Sequence, residues 1–397
     1  MNQRFDVAVI GNGMIGAAAT HYLSAAGLQV AGIGPGEPAQ WKTHAGVFAS
    51  HYDQGRITRI IDADAVWGLL GKRSIAAYSD LEARSGIGFH GAASCLRVSP
   101  DPLAPGDTLL QAEQVGRDLN AAFTIERQDE GLGEIFPFLH FPSGSMALWE
   151  RGGAGYINPR QLVQAQLTIA KQQGATIILE AVARLTTDHN GVMLTTSAGQ
   201  QIQAGKVLIA AGAYSGWLLD RPLDLRRKAV TVLLAELPAN EAKRLRALPS
   251  IIYRLDNHPV LASIYSVPPL VYPDGKTYLK IGGTLRNTRY IHTATEIQAW
   301  FHGDGNPVER DALREVLLAM VPGLVVTAFQ SKPCVVTYTA HDLPYIDQID
   351  TAIYVAAGGC GSSAKSSNEL GRIAAALVEN AGWCYDLPAE RFAVRYA

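Results

Sequence analysis

The stretch "RFDVAVIGNGMIGAAATHYLSAAGLQVAGIG", residues 4–34, decides the fold class. A short apolar run from Phe5 to Ile10 ends in a glycine turn holding Gly11, Gly13 and Gly16. A helix from about Met14 to Ala26 and a second strand from Leu28 to Ile33 follow. Gly11 permits the tight turn, Gly13 lets backbone approach a pyrophosphate, and Gly16 lets helix and strand pack closely. The helix N-terminus adds free amides aimed at phosphate charge. Strand, turn, helix and strand in this order predict a dinucleotide site. An acid at the end of the second strand ordinarily accepts hydrogen bonds from ribose hydroxyls. Gly34 stands there, which leaves Glu37, backbone or water to hold the ribose.

Outward from this stretch, 397 residues are too many for one ordinary core and predict two domains. With 48% apolar and 18% charged residues, 39 Gly and 20 Pro, the composition is that of a turn-rich α/β protein. A formal charge of -2 and the lack of a basic stripe exclude a nucleic-acid partner. The densest basic cluster, Arg226, Arg227 and Lys228, reads as a solvated face or a turn. No apolar run reaches the roughly 18 residues needed to span a membrane. The apolar start is too short for a secretory signal, so a cytoplasmic location is expected. Cys95, Cys334, Cys360 and Cys384 form no CxxC pair and are expected to be free thiols, with no disulfide and no metal site. A monomer or a small homo-oligomer fits equally well.

Further along, a helix is expected from about Asp64 to Arg84, and "GFHGAASCLRVSP" reads as a strand. "GYINPRQLVQAQLTIAKQQGATIILEA" is an Asn-Pro-started helix, a stop at Gly174 and a strand. From Arg221 to about Lys332 strand-like segments dominate, with one helix near Asp311 to Met320. "IYVAAGGCGSSAKSSNELGRIAAALVEN" gives strand, glycine turn and helix, and is expected to rejoin the first sheet. The predicted organisation is a split Rossmann-like nucleotide domain, residues 1–86, 154–220 and 333–397. An inserted β-rich substrate domain covers 87–153 and 221–332.

Four segments carry chemistry. "ASHYDQGRITRI" (49–60) spaces Arg56 and Arg59 three apart, on one face of a helix; the bland alternative is two solvated arginines at a helix start. "AAGGCGSSAKSSNELG" (356–371) places Lys365 at a glycine turn before a helix, where a surface lysine is the other reading. "KTYLKIGG" (276–283) alternates Lys280 toward either solvent or a cleft. "KPCVVTYT" (332–339) holds Cys334, a small buried hydrophobe in most proteins.

With these segments the chain resembles, over nearly its whole length, the flavoprotein amine and amino-acid oxidases of the glycine oxidase and D-amino acid oxidase superfamily. The likeness is to its monomeric sarcosine oxidase and N-methyltryptophan oxidase branch. The resemblance implies FAD, held by Gly11, Gly13, Gly16, Ser50, His51, Gly358, Gly361 and Lys365 and joined through the sulfur of Cys334, with the ribose left to Glu37, backbone or water. It implies that Arg59 and Lys365 bind the substrate carboxylate and that Arg56 lies against the flavin. It also implies that Lys280 promotes reaction with O2 and that Tyr265 lines the substrate pocket. Where the branch often has His, this chain has Thr284. The implied function is oxidation of a secondary or primary amino acid, N-methyl or cyclic in type. Hydride passes to flavin N5, the imine hydrolyses, and O2 is reduced to H2O2. The alternatives are an FAD-dependent dehydrogenase using another electron acceptor, and a flavin-binding accessory subunit without turnover.

Overall fold

The computed structural model describes residues 4–189 and 191–397. The apolar run that opens the chain becomes strand Arg4–Ile10, and its last four residues are all buried. It lies parallel between Val30–Ile33 and Gln201–Ile209. Burial on both faces explains the unbroken apolar sequence of its last four residues, Val7 to Ile10, because a parallel strand is covered by helices on each side. The same sheet continues through Thr176–Ile178 at one side and Gly191–Thr196 and Val182–Asp188 at the other. Strand Ile353–Ala357 joins it in parallel with Gln201–Ile209, so the C-terminal stretch does return to the first sheet.

The helices against this sheet start and stop where their sequences dictate. Asp64 accepts hydrogen bonds from the amides of Val66 and Trp67 to cap helix Ala65–Ser85, which ends at left-handed Gly86. Asn158 caps helix Pro159–Gln172 through the Gln161 amide, with proline at the first helical position. Helix Met14–Ala25 packs against both Pro159–Gln172 and the C-terminal helix Ser363–Asn380.

The second large sheet is mostly antiparallel. Its order runs Tyr290–Ile291, Arg226–Glu236, Thr277–Leu285, Leu261–Val271, Ser250–Arg254, Cys95–Ser99, Met146–Glu150 and Phe123–Arg127. Strand Ala328–Tyr338 pairs along the whole of Arg226–Glu236, from Arg226 opposite Tyr338 to Glu236 opposite Ala328. The expected boundary between residues 332 and 333 therefore falls inside one strand, and Cys334 is carried by this sheet. Helix Pro307–Met320 covers one face, packing Leu313, Val316 and Leu317 against Leu233, Ile264 and Ile281.

Three sequence expectations are corrected here. Residues 221–332 hold three helices, Ala239–Arg244, Ala294–His302 and Pro307–Met320, where one was expected. The middle helix has a legible signal in Thr293 and Glu296, which form a reciprocal capping box. Arg56 and Arg59 do not share a helix: Arg56–Thr58 is a short strand, with Arg56 opposite Ile157. Arg226, Arg227 and Lys228 belong to a strand, and Arg227 and Lys228 are each only 8% exposed instead of solvated. Among the described residues, no helix is long and apolar enough to cross a membrane. No cluster of metal-ligating side chains occurs among them either.

Candidate active site

A cavity of about 700 Å³ runs from the glycine turn, past the strand carrying Cys334, to the start of the C-terminal helix. At one end Gly11 has φ +114°, and a Cβ there would stand 2.3 Å from the carbonyl oxygen of Ala210, so only glycine fits. Gly13 precedes helix Met14–Ala25, whose N-terminus has no side-chain cap, leaving amides free at the wall. Gly16 is not on the wall; it packs against the Gly11 carbonyl.

The missing acid at position 34 has a steric reason. A Cβ on Gly34 would lie 2.5 Å from the backbone nitrogen of Asn12. The Asn12 amide group instead donates to the carbonyls of Gly32 (3.4 Å) and Gly34 (3.3 Å), closing the strand end. The Asn12 side-chain oxygen is buried without a partner. Glu37 is held by Arg160, whose Nε and Nη2 donate to its two carboxylate oxygens at 2.6 Å each. The wall at this point is Gly34 and Pro35.

Ser50, His51, Arg56, Arg59, Tyr265, Cys334, Gly358, Gly361 and Lys365 all line the cavity, as does Thr284. Burial pushes His51 down to about 4, so its ring is neutral at pH 7. Gly358 and Gly361 have φ of +87° and +75°, which shapes the turn before Lys365. Cys334 Sγ lies 3.8 Å from Arg56 Nη2.

Two buried charge clusters flank the cavity, each with an aspartate that sequence reasoning missed. In the first, one oxygen of Asp53 accepts from Arg56 and from Lys280, and Lys280 also donates to the Gly55 carbonyl at 2.6 Å. The other Asp53 oxygen accepts from the Tyr272 hydroxyl (3.0 Å) and the Gln54 amide (2.8 Å). Lys280 is 1% exposed, 5.3 Å from the centre of the Tyr265 ring, and behind the cavity wall. Burial and the Arg56 charge lower its pKa to about 8 against the pull of Asp53.

In the second cluster, one oxygen of Asp62 accepts from Arg59 Nη2 and Lys365 Nζ, both at 2.8 Å. Among the described residues, its other oxygen accepts only from the Asp64 amide at 3.3 Å. Lys365 also donates to the Trp67 carbonyl, and burial lowers its pKa to about 8. The two cations hold the Asp62 carboxyl far below the usual carboxylate range, although burial opposes them. Glu150, 2% exposed, fixes the loop by accepting from the amides of Ile60 (2.7 Å) and Ile61 (2.9 Å). The signal for both aspartates was present as Asp-x-x-Arg-x-x-Arg-x-x-Asp over residues 53–62.

The family described as FAD dependent oxidoreductase (DAO) matches residues 6–377. The chain belongs to this family. Among curated relatives it is 31% identical over 224 residues to "Monomeric sarcosine oxidase" of Streptomyces avermitilis, covering 55% of this chain and 54% of that one. It is 23% identical over 252 residues to "N-methyl-L-tryptophan oxidase" of Escherichia coli K12, covering 62% of this chain and 59% of that one. The matches thus span a little over half the length of these relatives. A solved structure of NikD, "an unusual amino acid oxidase essential for nikkomycin biosynthesis", superposes with TM-score 0.79 at 18% identity, covering 100% of this chain and 98% of that one. That likeness shows the shared fold.

The enzymes of this family use FAD, and the residues present fit it. The Gly11 cradle and uncapped helix N-terminus suit a pyrophosphate. The cavity continues from this turn without a break to Lys365.

Proposed function

We propose that this FAD-dependent oxidoreductase oxidises a secondary or primary amino acid, N-methyl or cyclic in type. One observation carries the reading: Arg59 and Lys365 converge at 2.8 Å on a single carboxylate oxygen, that of Asp62. The fork is already shaped for a carboxylate and lies on the cavity wall. A substrate carboxylate takes its place beside Arg59 and Lys365 as Asp62 gives way. Fixing the carboxylate orients the carbon-hydrogen bond next to nitrogen. The surrounding cations depress the amine pKa and favour its neutral, oxidisable form. When bound, FAD would supply the hydride acceptor, with the amine leaving as an imine that water hydrolyses and O2 taking up the two electrons as H2O2. Tyr265 and Thr284, both lining the cavity, shape the substrate pocket, Arg56 sits beside the cofactor, and Cys334, on the same wall, tethers it. Ser50, His51, Gly358 and Gly361 form the cofactor side of the same wall.

Lys280 gives a specific reason to keep a second reading, a dehydrogenase with an acceptor other than O2. Its ammonium is engaged by Asp53 and Gly55, behind the wall, instead of standing free to meet oxygen.

Anaerobic titration of the FAD-loaded protein with sarcosine, proline, pipecolate and N-methyl aromatic amino acids tests the proposal through flavin absorbance. Bleaching followed by stoichiometric peroxide under air is expected. Bleaching without peroxide supports the dehydrogenase, and no bleaching by any of them overturns the amino-acid substrate.

A further inference from the structure

Lys228 is a cation on the cavity wall that makes no ion pair within 4 Å among the described residues. It stands on strand Arg226–Glu236 opposite Val336, two residues from Val230, which is opposite Cys334. Lys228, Val230, Cys334 and Val336 all line the cavity. Side chains two apart on a strand share a face, so Lys228 is on the face that carries Cys334. Ser263 and Thr284, paired on neighbouring strands of the same sheet, also line the cavity and add hydroxyl groups.

The other cations of the wall each have a resident carboxylate: Arg56 pairs with Asp53, and Arg59 and Lys365 share Asp62. Lys228 is 8% exposed, and among the described residues it makes neither an ion pair nor a hydrogen bond. The one charged group that acts on it is Glu309. That carboxylate is fully buried and commits one oxygen to the Thr231 amide at 2.8 Å. Its other oxygen has no partner, and burial raises its pKa to about 7. Glu309 therefore serves the strand backbone and does not hold the Lys228 ammonium. A buried cation facing a cavity without a partner is costly unless a ligand supplies the anion.

We propose that Lys228 binds a second anionic group on the substrate, so that the preferred substrate is an amino acid with an additional carboxylate on its side chain or its N-substituent. This rests on the amino-acid oxidation proposed above. One ammonium on a wall that also carries the Ser263 and Thr284 hydroxyls suits a carboxylate, while the Arg59–Lys365 fork takes the α-carboxylate.

Two matched pairs test it with the FAD-loaded enzyme: N-methylaspartate against its uncharged isostere N-methylasparagine, and N-(carboxymethyl)glycine against sarcosine. The expected result is a preference in kcat/KM for the anionic member of about tenfold or more, as for a charge-assisted hydrogen bond. Lys228→Gln abolishes the preference and Lys228→Arg restores most of it. FAD content is measured in each variant. A wild-type ratio near one, or a ratio unchanged in Lys228→Gln, overturns the inference while leaving amino-acid oxidation standing. Loss of FAD affinity in Lys228→Gln with no change in the ratio assigns the lysine to the cofactor and overturns it as well. Failure of all four compounds and of the cyclic amino acids to bleach the flavin overturns both proposals.

Discussion

The two charge clusters beside the cavity are built from the same three residue types and differ in how completely the aspartate is satisfied. Asp53 has both oxygens occupied, by Arg56 and Lys280 on one and by Tyr272 and the Gln54 amide on the other. Asp62 carries Arg59 and Lys365 on one oxygen but only a long contact from the Asp64 amide on the other. A carboxylate with every lone pair filled is a fixed part of the structure. One held mainly by the two cations that share it is open to exchange with another carboxylate. The first cluster thus reads as scaffold and the second, on the proposed function, as a binding fork with a resident occupant.

The largest expected effect is on the scaffold side. Asp53→Ala leaves Arg56 and Lys280 buried and unneutralised and should cost about 3–5 kcal/mol of stability by chemical denaturation, the usual range for breaking a buried pair. Asp62→Ala should cost clearly less; equal losses would erase the distinction between the clusters. Next, Arg59→Met removes one arm of the fork and should lower kcat/KM for an amino-acid substrate by about 100-fold, with folding and FAD content retained. A change under threefold would move the substrate carboxylate elsewhere.

A smaller effect sharpens the exchange idea. Asp62→Asn removes the internal competitor, so an amine-free carboxylate such as propionate should bind about tenfold more tightly, read by flavin absorbance. Asp53→Asn should give no such gain. The smallest effect is in pH. Lys365 is lowered to about 8, so its ammonium is present below that pH and lost above it. Propionate affinity should therefore fall as pH rises through about 8. Lys365→Arg should remove the decline because a guanidinium stays charged.

Much of this was legible in the sequence wherever the signal is local. The glycine turn of residues 11–16, the Asn-Pro helix start at 158–159 and the turn before Lys365 each depend on backbone geometry within a few residues. Arg59 and Lys365 were recognised through resemblance, and the cavity does bring them together. What sequence did not give depends on contacts far along the chain. Asp53 and Asp62 look like ordinary surface acids until Lys280, 227 residues away, and Lys365, 303 away, close over them. Lys228 was hidden in a basic run that resembles a solvated turn, and only its strand register turns it inward. The absent acid at Gly34 was visible, but its cause, the Asn12 backbone at 2.5 Å from any Cβ, is a matter of packing.

Asp62 can also be regarded as a ligand tethered at very high local concentration to its own receptor. Any free carboxylic acid must outcompete it, and a simple acid offers the fork nothing that Asp62 does not already provide. Only a molecule that adds further contacts in the cavity gains enough to displace it. On the proposed function, a site so furnished would filter out the common small acids of its surroundings without excluding them by size, before any chemistry begins.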